Sequence, residues 1–217
     1  LVLAAMAVGA FLSGAAARHL AAKFGAPGTV LIGLGLEVAG VLVLALILGP
    51  ATPGWLIAIP LVVYGLGLGL ASAQLTGTVL RDIPVDVSGQ GSATQSTVRQ
   101  IGSALGTAFA GATLSISLAL TLPTALGGAG LTGAEADSLA DATRLSAGTT
   151  IMQLREQGSS SSLGDQTATA VDALTSGFAD ATRWALLIAT VFLALAFIGA
   201  LRLRRASAST LTNPSAQ

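Results

Sequence analysis

The sequence predicts an all-α membrane protein with about five transmembrane helices. Hydrophobic residues make up 53% of the 217 positions, charged residues make up 9%, and the mean hydropathy is +0.79. Soluble globular domains carry about 25% charged residues, so most of this chain is not built to face water. A bilayer core about 30 Å thick requires roughly 20 mainly apolar helical residues, and several stretches of this chain reach that length.

Four complete spans and one shorter span are predicted. The complete spans are residues 28–48, 55–80, 100–122 and 184–203, and the shorter one is residues 1–17. Because Leu1 lies within an apolar run, we expect a longer protein whose N-terminal part precedes this chain. The predicted organisation is four spans in residues 1–122 with the first truncated, a loop with short helices in 123–180, a last span in 181–205, and a tail in 206–217.

The distribution of basic residues predicts the orientation. Seven of the ten Lys and Arg residues occur in residues 18–23, at Arg81 and Arg99, and at Arg202, Arg204 and Arg205. An even number of predicted spans separates these groups, so all lie on one side, which the positive-inside rule makes cytoplasmic. Segment 123–180 then lies outside, and its seven acids against two bases fit an external face. The tail is therefore predicted to be cytoplasmic.

The external segment combines Gly and Ser runs with stretches of helical character. The helical stretches are residues 134–157 and 167–178. This pattern favours short surface helices joined by flexible linkers. A disordered loop without a role is the alternative that the composition leaves open.

Glu37 is the main candidate for a functional residue within a span. It lies about ten residues into the span that begins near Gly28, which places it about 13 to 15 Å deep, near the midplane of a bilayer. Acidic residues at this depth usually face a cavity or the protein interior and often belong to proton or substrate pathways. The alternative is a carboxyl group that serves packing alone.

Glycines at regular spacing predict close helix packing. Gly65, Gly67 and Gly69 lie in one span, and Gly102 and Gly106 lie four residues apart in the next. Small residues allow helices to approach closely in lipid, where the hydrophobic effect does not drive association. A dinucleotide-binding loop at Gly65 is excluded, because the third glycine and the preceding strand are missing.

Three polar residues near the predicted cytoplasmic ends of spans are further candidates for a substrate or proton pathway. They are Gln74, Gln95 and Arg99. The long side chain of Arg99 can extend to the membrane interface. Its alternative role is a topological anchor or an ion pair with Asp82 or Asp86.

Two glycine-rich stretches resemble the major facilitator superfamily, most closely its fourteen-span drug:proton antiporter branch. The first reads Ile-Pro-Val-Asp-Val-Ser-Gly-Gln-Gly-Ser-Ala over residues 83–93, and the second reads Arg-Gln-Ile-Gly-Ser-Ala-Leu-Gly-Thr-Ala over residues 99–108. The glycine-rich span at 65–69, the long external segment and the Gly-Phe-Ala-Asp-Ala entry at 177–181 follow the order of that branch. The resemblance covers essentially the whole chain and implies that it forms most of the C-terminal bundle, with the last five spans.

The resemblance also implies a mechanism and partners. The mechanism is alternating access, in which two helical bundles rock about a midplane site and couple solute to proton movement. Glu37 would then be a protonatable cavity residue, the glycine faces would slide, and Arg99 would organise the cytoplasmic gate. The implied partners are membrane lipid, the N-terminal half of the same transporter, a small lipophilic solute and the proton. The implied location is the plasma membrane.

Other classes of protein are less compatible with these residues. A membrane enzyme would require a nucleophile with a base or a metal cluster, but the chain has no Cys and a single histidine, His19. We therefore expect no catalytic residues, no metal and no cofactor, and we expect no nucleic-acid partner. A structural or scaffold membrane subunit remains the alternative to a transporter.

Overall fold

All the regular structure that the computed structural model describes, in residues 2–80 and 83–211, is helical. The α-helices are α1 (Val2–Ile47), α2 (Gly54–Leu80), α3 (Ser88–Gly128), α4 (Ala134–Leu145), α5 (Thr149–Gln157) and α6 (Thr167–Leu211). Short 3-10 helices cover Val85–Val87, Gly158–Ser160 and Gly164–Gln166. Arg81, Asp82 and residues 212–217 of the predicted tail lie outside the described residues.

Four of these helices, rather than the five spans that we predicted, are long and apolar enough to cross a membrane. They are α1, the first part of α2, α3 and α6, with mean hydropathies between 1.6 and 2.6 in their most apolar windows. The difference arises because the first two predicted spans are joined in α1, which is 46 residues long. A straight helix of that length would measure about 69 Å, more than twice the thickness of a bilayer core.

α1 is not straight, because its backbone leaves the helical conformation at Gly25. The dihedral angles there are φ 73° and ψ 165°, a region that favours glycine, and Pro27 follows two residues later. A methyl group placed on Gly65 of α2 would meet the backbone of Met6, and one placed on Gly40 would lie 2.8 Å from the backbone nitrogen of Tyr64. Positions 6 and 40 would be about 50 Å apart on a straight helix. The chain therefore reverses at Gly25, and residues 2–24 and 26–47 are two antiparallel segments.

The chain divides into two compact units. The first contains the described residues of 1–44, 53–106 and 189–217, and the second contains residues 45–52 and 107–188. α1, α3 and α6 each contribute to both units. The first unit holds most of the residues that were predicted to carry function, and the second holds the segment that was predicted to lie outside.

The second unit has its own hydrophobic core. Residues from α3, α4, α5 and α6 build it: Leu118, Leu122, Leu126, Ala140, Ile151, Leu154, Val171, Leu174 and Ala181. Its helices extend beyond the predicted boundaries, since α3 continues to Gly128 and α6 begins at Thr167. Leu126 and Leu174 are fully buried, so the packing of apolar side chains accounts for these extensions.

Candidate functional site

Glu37 lies inside the first unit, in the middle of the α1 segment 26–47. The segment has about 15 Å of helix on either side of Glu37, which places the residue at half its length. Only 6% of its surface is exposed. No other Asp or Glu occurs before residue 82, so Glu37 is the single acidic side chain of α1 and α2. An ionised acidic group in an apolar setting is energetically costly, so a buried acid at this position is a candidate for function.

One face of α2 packs against the α1 segment that carries Glu37. A methyl group placed on Gly67 would lie 2.7 Å from the Glu37 backbone nitrogen and 3.0 Å from its Cγ. A methyl group on Gly33 would lie 2.8 Å from the Ala71 nitrogen, and one on Gly40 would lie 2.9 Å from the Pro60 oxygen. These α2 positions recur at helical spacing and therefore share one side of the helix. The backbones approach so closely that only glycine fits.

The opposite face of α2 packs against the other α1 segment, residues 2–24. Gly65 lies against Met6, and Gly69 lies against Ala10 and Ser13. On the α1 segment itself, a methyl group placed on Gly9 would lie 2.9 Å from the backbone nitrogen of Leu66 in α2. The three glycines at positions 65, 67 and 69 therefore face both antiparallel segments of α1. Their alternation on two sides explains the two-residue spacing that the sequence shows.

Tyr64 is a polar residue on the α2 face that packs against the Glu37 segment of α1. It is partly buried and packs at Gly40, about one helical turn along α1 from Glu37. Among the described residues, no basic side chain forms an ion pair with Glu37. A carboxyl group within a membrane-spanning segment is a candidate for taking up and releasing a proton.

Gln95 and Arg99 line one groove at the start of α3. The groove has a volume of about 680 Å³, and its other lining residues include Ile83, Val87 and Thr94. Residues four positions apart share one side of a helix, which explains why Gln95 and Arg99 occur together. Glu37 and Gln74 are not among the described residues that line this groove. Gln74 is partly buried on α2, and both it and Gln95 make polar or electrostatic interactions.

Arg99 forms no ion pair with Asp86, the one of its two predicted partners that the structure describes. The side chain of Arg99 is exposed. Asp86 lies in the 3-10 helix that precedes α3 and is itself exposed. The other expected partner, Asp82, lies outside the described residues. The pathway and packing roles of these predicted residues stay predictions.

The glycines of α3 differ from those of α2 in their surroundings. A methyl group placed on Gly102 or Gly106 would meet nothing within 4 Å in the described structure. The neighbouring side chains of α3 are exposed too, including Ile101, Leu105 and Phe109. This part of α3 therefore presents an uncovered face, and the predicted packing role of its two glycines stays a prediction.

The second unit contains a cavity that the sequence did not indicate. The cavity has a volume of about 440 Å³ and is lined by the turn at residues 48–50, by α5 with its preceding turn, and by α6. Phe178 forms part of its wall and packs against Gly148, since a methyl group there would lie 2.9 Å from the ring. Arg155 supplies the single charged group among its described lining residues. Residues distant in sequence form this cavity, so no local motif marks it.

The described residues form helices, and four of these helices are long and apolar enough to cross a membrane. The chain is 40% identical over 58 residues to the riboflavin transporter RibZ of Clostridioides difficile (strain 630). The similar stretch covers 27% of this chain and 13% of that transporter's length. Neither the models of known protein families nor the solved structures include a match. The similarity and the apolar helices together support a membrane transport protein.

Proposed function

We propose that this chain forms the C-terminal helical bundle of a secondary transporter of the major facilitator type, in its drug:proton antiporter branch. The transporter would exchange protons for small lipophilic solutes by alternating access, at the plasma membrane with its C-terminus in the cytoplasm. Its other half would come from an N-terminal part of the same protein, because a midplane site between two bundles requires both. The resemblance of residues 83–108 to that branch and the similarity to a riboflavin transporter support this proposal.

The observation that carries the proposal is the position of Glu37. It is buried at half the length of a membrane-spanning segment, against the face of α2 that carries Gly67. A carboxyl group that alternates between protonated and ionised forms can couple proton movement to a change of helix packing. The close contact with Gly67 means that a shift of α2 along α1 would change the surroundings of the carboxyl group directly.

The test compares transport by the complete gene product with transport by its Glu37→Gln variant. Efflux of a panel of lipophilic cations is followed from loaded cells, or as uptake into inverted membrane vesicles, with and without a proton gradient. Glutamine keeps the shape of the side chain but cannot carry the proton. We expect the variant to lose efflux driven by the gradient while it retains solute exchange, which moves no net proton.

A matched control is Asp141→Asn, which removes a carboxylate at an exposed position of α4. This variant should transport as the native protein does. Gradient-driven efflux that is unchanged in a stably inserted Glu37→Gln variant would contradict the coupling role. Efflux that is also unaffected by a protonophore in the native protein would contradict proton coupling altogether.

Riboflavin belongs in the solute panel because of one observation. The curated protein that is similar over 58 residues is a riboflavin transporter. Uptake or efflux of riboflavin without any movement of lipophilic cations would replace the drug solutes in our proposal by a flavin. A protein that inserts stably but moves no solute of the panel would favour the alternative, a structural or scaffold subunit.

A further inference from the structure

Two basic side chains of the first unit lie near the chain reversal of α1, Lys23 beside Phe24 and Arg204 beside Gly28. A methyl group placed on Gly28 would lie 3.8 Å from Nη2 of Arg204 and 3.9 Å from its Cζ. The same methyl group would lie 3.0 Å from Cβ of Phe24. The Nζ of Lys23 lies 5.5 Å from the centre of the Phe24 ring. Lys23 of α1 and Arg204 of α6 therefore flank the turn formed by Phe24 and Gly28.

The chain reversal at Gly25 creates this arrangement. Lys23 and Phe24 end one segment of α1, and Gly28 lies in the first turn of the next. Gly28 is buried and has no side chain, so the last turns of α6 can bring the Arg204 guanidinium close to it. Phe24 remains 48% exposed beside the two cations. An apolar ring and two positive charges are thus presented together.

Among the described residues, no acidic side chain pairs with either of these two cations. Within the described residues, neither Lys23 nor Arg204 has a carboxylate oxygen within 4 Å. Residues 1–36 and 183–217 contain no Asp or Glu, so the chain offers no acid nearby in sequence. Ion pairs within the protein are the usual way to balance neighbouring charges, and with no such pair among the described residues these two cations are open to an external anion.

We propose that Lys23 and Arg204 bind the phosphate group of one anionic phospholipid at Gly28. Basic clusters between membrane helices are suited to acidic lipid headgroups, and a guanidinium can bind two phosphate oxygens at once. The exposed Phe24 ring then lies beside the apolar part of the same lipid. This lipid site requires only that the chain spans a membrane, and it does not rest on the proposed transport function.

The test measures binding of phosphatidylglycerol to the complete purified protein by native mass spectrometry, with phosphatidylcholine for comparison. Arg204→Gln and Lys23→Gln should each weaken the phosphatidylglycerol affinity about fivefold, as expected for one cation at a membrane surface. Arg204→Lys should retain part of the affinity, because lysine keeps the positive charge but cannot make the bidentate contact of the guanidinium. Circular dichroism checks that each variant is folded.

Arg202→Gln is the matched control. Arg202 is exposed on the same helix, and it lies two positions before Arg204, about 160° away around the helix axis. A site at Gly28 predicts that this variant keeps the native affinity. An equal loss in Arg202→Gln and Arg204→Gln would overturn the site in favour of diffuse attraction to the membrane surface. Equal binding of the two lipids, or competition by inorganic phosphate at the same concentration as the lipid, would overturn it as well.

Discussion

Gly67 lies directly against Glu37, so that a methyl group on the glycine would come within 3.0 Å of the glutamate Cγ and 2.7 Å of its backbone nitrogen. The same methyl group would also meet the carbonyl oxygen of Gly33. Two of these three atoms belong to the backbone, which cannot move aside as a flexible side chain can. The buried carboxyl group is therefore held at a contact between two helices that tolerates no additional atom.

The first prediction concerns this contact. Gly67→Ala should lower the free energy of unfolding by about 1–3 kcal/mol, because overpacking forces the two helices apart. Gly14→Ala is the control, since a methyl group there would meet nothing within 4 Å. It should be neutral or stabilising by up to about 1 kcal/mol, as for glycine in a helix interior. Thermal or denaturant unfolding in detergent measures both, and equal effects would show that α1 and α2 are not packed as described.

Hydropathy was sufficient to predict the helical class and the position of Glu37 in the middle of a long apolar segment, since both depend on composition over about 20 residues. The partner of Glu37 could not be predicted in this way. Its contact with Gly67 joins positions 30 residues apart, and it depends on the reversal at Gly25. Gly33 and Gly40 lie seven residues apart, as do Pro60 and Gly67, and this shared spacing was the one signal that could have paired the two helices.

The second prediction concerns a hydrogen bond between α3 and α6. The Thr121 hydroxyl lies 2.8 Å from the Gly177 carbonyl oxygen, to which it can donate, and 3.0 Å from that of Ser117. Thr121→Val keeps the shape of the side chain and removes this donor, so it should cost about 0.5–1.5 kcal/mol of unfolding free energy. Thr124→Val is the control, because the exposed Thr124 hydroxyl donates within its own helix to Leu120. A loss as large in the control would refute a specific role for the bond between the helices.

The third prediction tests whether the second unit is a packed structure. Leu174 is fully buried in its core, whereas Leu145 is 77% exposed. Leu174→Ala should cost about 2–5 kcal/mol, because it removes buried methyl groups and leaves a cavity. Leu145→Ala should change stability by less than about 0.5 kcal/mol, as surface substitutions usually do.

Hydrogen exchange gives an independent measure of the same core. Amide protons of α5 should exchange slowly in the native protein and faster in Leu174→Ala, because local opening depends on buried apolar contacts. Rapid exchange throughout α4 and α5 in the native protein would instead support the disordered loop that the composition left open. The Gly and Ser runs made that alternative reasonable, since the leucines of the core lie up to 56 positions apart in the chain, from Leu118 to Leu174.

The last prediction concerns the uncovered face of α3, which carries Gly102 and Gly106. In the 217-residue chain by itself, Gly106→Leu should not lower stability, because nothing lies within 4 Å of a methyl group at that position. In the complete transporter the same substitution should reduce solute flux, if this face packs against the other bundle as the proposed function requires. Gly111→Leu is the control, since Gly111 also has open surroundings and lies about 140° away around the helix. Flux that is reduced by Gly106→Leu and not by Gly111→Leu would identify the face that contacts the other bundle, and equal flux in both would show that the Gly106 face meets only lipid.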